Sequence, residues 1–135
     1  MSRTATALIG FGGWYALLSL ALAVYRSRLV LAGRKAPNTF ATDGADLDPL
    51  GRRLTRARDN CYETLPLFAA IALGASVAGR LDVTDPLAMW VLYGRVGQSL
   101  THIVSTSVPA VLLLANLFFA QVLIYAWWAT RLLWS

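Results

Sequence analysis

Two groups of polar side chains stand out against apolar surroundings: Arg56, Asn60 and Glu63, then Arg95, Gln98, Ser99 and His102. The first is spaced i, i+4, i+7 and the second i, i+3, i+4, i+7, so each falls on one face of an α-helix. Glu63 and Arg95 have opposite signs, and each is carried far into an apolar run. An ion pair Glu63–Arg95 between neighbouring helices is therefore expected. Such a pair holds helix register with little net stabilisation, or it touches a ligand directly; the spacing leaves both readings open. Asn60, an amide without an evident partner, suits the polar backbone of a ligand. His102 is either a hydrogen-bonded filler or a group that moves protons. One histidine and one cysteine at this spacing make no metal-ligand set, and the single Cys61 cannot close an internal disulfide.

These stripes need helices to carry them, and composition says in which solvent. The chain has 135 residues, 57% hydrophobic and 14% charged, with mean hydropathy +0.55. Soluble domains are nearer one half apolar and about a quarter charged, so this chain in water would expose much apolar surface. A lipid bilayer is the expected surrounding. The net charge of +5 would otherwise raise nucleic acid as a partner. Its placement excludes that class: eight of 12 basic residues (Arg26, Arg28, Arg34, Lys35, Arg52, Arg53, Arg56, Arg58) fall between the first two apolar runs. That is the pattern of a cytoplasmic loop, and it fits contact with anionic lipid head groups.

The run from Ala5 to Tyr25 contains no charge and as a helix covers roughly 30 Å, the thickness of the hydrocarbon core. A signal peptide is the poorer reading, because the arginines follow the run instead of preceding it. Residues 33–49 read as a loop. A helix from near Leu50 passes through a charged stretch into the apolar run 65–79, where Pro66 is expected to kink it. Arg80, Asp82, Asp85 and Pro86 read as a polar turn. Between Pro86 and Thr130 the only permanent charge is Arg95, and Ser105 to Pro109 mark a hinge between two further spans. The expected fold is one all-α membrane domain over residues 1–135, a four-transmembrane-helix bundle with spans at 5–32, 52–79, 86–106 and 109–133. Both termini then lie outside the cytoplasm and the basic segment 26–58 inside, in an inner or plasma membrane if the source is bacterial. Trp127, Trp128 and Trp134 read as an interfacial aromatic belt. Gly74, Ala75, Ala78 and Gly79 allow close helix approach.

The segment Arg56–Phe68, R-A-R-D-N-C-Y-E-T-L-P-L-F, resembles the R-A-x-x-N-x-x-E signature of the MAPEG family, membrane-associated proteins in eicosanoid and glutathione metabolism. Asn-Cys-x-Glu and the following Pro-Leu-Phe are similar to leukotriene synthases, and Gly94-Arg95-Val96 to prostaglandin E synthases. The resemblance implies a homotrimer of four-helix subunits, with glutathione bound between subunits near the cytosolic face. It implies that Arg56, Asn60 and Glu63 hold glutathione, that Arg95 and Gln98 support the site, and that Arg34 reaches the ligand from the end of the first helix. If the chain is an enzyme of this kind, His102 or Ser99 is expected nearest the sulfur, His102 standing where the family usually carries a tyrosine. The chain departs from the family pattern in having no arginine between Arg95 and Arg131, where a thiolate-stabilising one is usual. A free thiol is only a few per cent ionised at neutral pH, and a nearby cation shifts that balance by about 1–3 pKa units. Two functions are thus expected to compete. One is a glutathione S-transferase or peroxidase of weak or altered activity on lipophilic substrates. The other is a non-catalytic relative that binds lipid or serves as an accessory subunit of a larger membrane complex. A channel or transporter finds no evident conduction path.

Overall fold

In the computed structural model, which describes residues 1–134, the chain forms four helices: α1 (Arg3–Leu31), α2 (Pro49–Val77), α3 (Leu81–Val104) and α4 (Val108–Leu133). No strand occurs among the described residues. The starts are written in the sequence. Ser2, Asp48 and Ser107 each accept from the backbone N–H three residues on, and Pro49 and Pro109 occupy first-turn positions where no N–H is needed. The ends of α1 and α2 are equally explicit. Gly33 (φ 70°) and Gly79 (φ 67°) take the left-handed conformation, and the next residue's amide reaches back to Leu29 and Ala75. This pair of bonds closes both helices and makes the α2–α3 connection only three residues long.

The expected spans and the helices differ most at α3. It begins at Leu81, so Asp82 and Asp85 lie in its first turns and Pro86 inside it. Tertiary contacts explain this. The Asp85 carboxylate accepts from both the amide (2.8 Å) and the hydroxyl (2.5 Å) of Thr4 on α1, and the Thr4 and Thr84 hydroxyls lie 2.7 Å apart. These bonds tie the two helix starts together and hold the turn before Pro86. α2 continues as helix through Pro66, although that residue leaves the Tyr62 carbonyl without its usual helical donor.

α2 and α3 each pack against all three other helices, while the backbones of α1 and α4 do not come close to each other among the described residues. Phe68 of α2 anchors the core. Its ring lies 5.8 Å from Phe11, 6.2 Å from Tyr125 and 6.0 Å from Trp128, so one aromatic stack links α1, α2 and α4. Trp128 therefore belongs to the core and not to an aromatic belt, whereas Trp127 and Trp134 are exposed.

Beside this apolar core, burial departs from that of a soluble protein in two respects. Thr4, Thr84, Arg95, Gln98, Ser99 and Gln121 are buried, while Leu20, Leu73, Trp90, Phe119 and Leu123 are exposed. A large exposed apolar surface around a polar-bearing interior is what a hydrocarbon solvent produces. Two helices, α1 and α4, are long and apolar enough to cross a membrane. α2 carries Arg52, Arg53, Arg56, Arg58, Asp59 and Glu63 in its first half, and α3 has Arg95 at its middle.

Candidate functional site

The two polar stripes of the sequence face each other across α2 and α3, and a third helix joins them. Arg95 is fully buried (0% exposed) and donates through Nη1 to Asn60 Oδ1 and through Nη2 to Gln121 Oε1 at 2.8 Å. An arginine can only donate, so both amide oxygens must face it, and both amide groups are thereby oriented. Gln121 Nε2 then donates to Gln98 Oε1 (3.3 Å) and the Leu117 carbonyl (3.1 Å), and Gln98 Nε2 to the Leu114 carbonyl (3.3 Å). Asn60 Nδ2 lies 2.9 Å from His102 Nε2. With the amide nitrogen donating, Nε2 is an acceptor and the ring proton sits on Nδ1. The guanidinium also lies over the Phe11 ring, 5.5 Å from its centroid. Two amide oxygens and an aromatic face thus solvate a cation that has no buried carboxylate.

That last point corrects an expectation. No Glu63–Arg95 ion pair forms among the described residues; Glu63 is exposed. Three residues along a helix turn a side chain about 60° away, so the face that brings Asn60 to Arg95 carries Glu63 out of the bundle. A carboxylate left at the edge keeps its water, whereas burying it beside Arg95 would desolvate two ions.

Beside this network lies an open groove in two parts that meet at Arg56, Asn60 and His102. The polar part, about 480 Å³, is completed by Asp43, Ala45, Arg52, Asp59 and Glu63. The apolar part, about 410 Å³, is walled by Val111, Leu114, Ala115, Phe118 and Phe119 of α4, with Arg53, Gln98, Ser105 and Thr106 at its edge. Asp59 is paired with Arg58 at 2.6 Å. Arg56 forms no ion pair among the described residues and lines both parts.

The first loop closes the polar part and is itself tied down. Lys35 pairs with Asp46 at 2.6 Å, and the Tyr25 hydroxyl donates to Asp48, the residue that caps α2. The Tyr25 hydroxyl, and after it the Gly51 amide, hold the Asp48 carboxyl below the usual aspartate range; the Lys35 ammonium does the same for Asp46. Gly44, at φ 72°, sits so close to α2 that a Cβ there would meet Thr55 Oγ1 at 2.6 Å.

A family model, the MAPEG family, matches residues 4–134. The chain belongs to the MAPEG family. No curated protein and no solved structure matches it. As a MAPEG chain with two helices able to cross a bilayer, it is a membrane protein.

Of the residues singled out in this MAPEG sequence, Arg56, Asn60, Glu63, Gln98 and His102 line the groove. Arg95 does not: it lies behind Asn60 and acts on the groove through that amide. Ser99 is also withdrawn from it, its hydroxyl donating to the Arg95 carbonyl (3.0 Å) and lying 3.3 Å from Cys61 Sγ. Arg34 is exposed on the first loop and lines neither part. Gln121 is the residue that sequence reasoning missed. Its signal was available, because an amide in the middle of the apolar run of α4 invites the same question as Asn60. Gly94 makes room for it, a Cβ there standing 3.2 Å from Gln121 Nε2. Arg52, Arg53 and Asp59 were legible only as loop-proximal charge.

Proposed function

We propose that this MAPEG protein binds glutathione in the polar part of the groove and a lipophilic electrophile in the apolar part, as a glutathione S-transferase or peroxidase. The observation that carries this reading is the junction. Arg56, Asn60 and His102 border both parts, so a hydrophilic thiol peptide on one side can present its sulfur to an apolar molecule on the other. Asn60 supports the peptide end: with its oxygen held by Arg95 and one amide N–H on His102, its second N–H is left for a ligand carbonyl or carboxylate. Arg52 and Arg56 oppose the two carboxylates of glutathione, and Glu63 and Asp59 its ammonium. Three of these five groups, Arg56, Asn60 and Glu63, belong to the family signature.

In this reading all four helices cross the membrane, with the arginine-rich end on the cytoplasmic side and both termini on the other. The site lies between subunits of a homotrimer, so a neighbour completes the open groove. Exposed Gly74 and Ala78 supply a low surface for close helix approach.

One observation favours a second, non-catalytic reading, in which the groove holds lipid or the chain serves a larger complex. α4 contributes only Val111, Leu114, Ala115, Phe118 and Phe119 to the cavity, none of them a cation that would hold a thiolate. Calorimetric titration of glutathione into the purified protein in detergent separates the readings. Binding at millimolar-order concentrations, about −4 kcal/mol, that disappears in Asn60→Ala supports the glutathione site, and a thiolate absorbance scan then tests activation. Absence of binding at any reachable concentration removes the enzyme reading.

A further inference from the structure

The hydrogen-bond directions around Arg95 leave His102 a single role. Arg95 can only donate, so Asn60 keeps its oxygen toward the guanidinium and its amide nitrogen toward His102 Nε2, 2.9 Å away. A proton on Nε2 would set two donors against each other. Turning the Asn60 amide over would relieve that clash, but its NH2 would then face a guanidinium that is 0% exposed. Gln121 keeps the guanidinium in place. Its oxygen holds Nη2 at 2.8 Å, and its own nitrogen is spent on Gln98 and the Leu117 carbonyl. No carboxylate pairs with the imidazole among the described residues. His102 is thereby fixed as a neutral ring with its proton on Nδ1.

That proton has no taker in the protein. Nδ1 makes no hydrogen bond among the described residues, and the ring lines both parts of the groove. With Nε2 occupied by Asn60, the ring is not free to receive a thiol proton, so general-base chemistry is closed to it. It can still hold an oxygen on which negative charge develops, as neutral imidazole does when it polarises a carbonyl. A thiol sulfur is a weak acceptor for such a donor. On the apolar side the walls are Val111, Leu114, Ala115, Phe118 and Phe119, so the oxygen belongs to a lipophilic molecule.

We propose that the Nδ1–H of His102 binds the carbonyl oxygen of a lipophilic α,β-unsaturated carbonyl compound, with Asn60, Arg95 and Gln121 as positioning residues. For its sulfur the inference rests on the glutathione S-transferase reading. The thiol proton leaves to water in the open polar part, and the sulfur forms a bond to the β-carbon. The π pair of the double bond moves toward the carbonyl, whose oxygen becomes an enolate held by Nδ1–H. The α-carbon then takes a proton from water, and His102 keeps its own throughout. Opening a peroxide or an epoxide asks for more, a whole proton on the departing oxygen, which neutral imidazole does not release.

His102 is the chain's single histidine, so nitrogen NMR of the full chain in detergent micelles, with isotope-labelled histidine, reads this ring alone. At neutral pH the proton is expected on Nδ1, with Nε2 unprotonated. Asn60→Asp, the same shape with a second oxygen in place of the NH2, should put a proton on Nε2. Benzylideneacetone, labelled at its carbonyl carbon and added without glutathione, should show a hydrogen-bonded carbonyl shift. His102→Phe should abolish that shift, and His102→Asn, whose amide N–H stands near the former Nδ1–H, should keep part of it. With glutathione present, His102→Phe should lower kcat for addition to this ketone about a hundredfold and leave the KM for glutathione near that of the parent. A proton on Nε2 in the parent, an unchanged ring in Asn60→Asp, or a carbonyl shift absent from the parent or retained in His102→Phe overturns the proposal. So does an unchanged kcat. Absence of glutathione binding removes the transferase reading alone, because the ring and carbonyl measurements need no thiol and still decide the donor.

Discussion

Replacing Gln121 by leucine removes one side chain from the buried network with little change in volume, and its effect can be worked out bond by bond. Arg95 Nη2 loses its acceptor at 2.8 Å, and Gln98 Oε1 loses a donor at 3.3 Å. The guanidinium Nε makes no hydrogen bond of good geometry, and the Tyr125 hydroxyl is a further polar neighbour of the cation. Asn60 would then remain as the one amide acceptor, with the Tyr125 hydroxyl beside it, for a cation that is 0% exposed. A hydrogen bond to a charged group is worth about 1.5–3 kcal/mol in soluble proteins, whereas side-chain bonds between membrane helices average about 0.6 and reach about 1.7. The expected loss for Gln121→Leu is the top of the membrane range, about 1.5–2 kcal/mol. Reversible unfolding in mixed detergent–dodecyl sulfate micelles, followed by tryptophan fluorescence, measures it; Trp128, stacked 6.0 Å from Phe68, reports on the same core. The decisive comparison is a double-mutant cycle with Arg95→Met. If the loss comes from a cation stripped of its acceptor, removing both partners must cost at least about 1 kcal/mol less than the sum of the single changes. Additivity within about 0.5 kcal/mol would refute the reasoning, and so would a single-mutant loss below that figure.

Three further outcomes follow from the same contacts. Asp85→Ala removes the carboxylate oxygen that accepts from both the amide and the hydroxyl of Thr4 at the start of α1 and should lower unfolding stability by about 1–2 kcal/mol, with Asp85→Asn falling between. Gly44→Ala puts a side chain at φ 72° and against Thr55 Oγ1, so a loss of about 1–3 kcal/mol and faster proteolysis of the first loop are expected. Because the folded Asp48 carboxyl lies below its usual value, its contribution is present above the unfolded pKa of about 3.9 and is lost as pH falls through the folded value. Limited proteolysis of the loop should therefore accelerate below about pH 4, and Tyr25→Phe should raise proteolysis at neutral pH and shrink the further acceleration in acid; an acid acceleration unchanged by Tyr25→Phe would count against the link.

What the sequence determined by itself is what depends on neighbours along the chain. The caps at Ser2, Asp48 and Ser107 and the left-handed Gly33 and Gly79 act within a few residues of the helix ends they set, and the i, i+4, i+7 spacing of Arg56, Asn60 and Glu63 puts them on one side of α2. The family could be read there too, because its signature lies within a single helix. What the sequence did not determine is which member of a stripe meets which neighbour. Charge alone pairs Glu63 with Arg95. The rotation of α2 against α3 gives Asn60 to Arg95 instead and sends Glu63 to the groove. Gln121 joins from another helix, at a sequence distance of 26 residues from Arg95, where no local spacing could announce it. The α3 start shows the same division. Pro86 argues locally for a later beginning, and the bonds of Asp85 to Thr4, 81 residues away, override it. Local propensities fix helices within about a turn, but a buried cation takes the acceptors that packing brings to it, and that choice belongs to the tertiary structure.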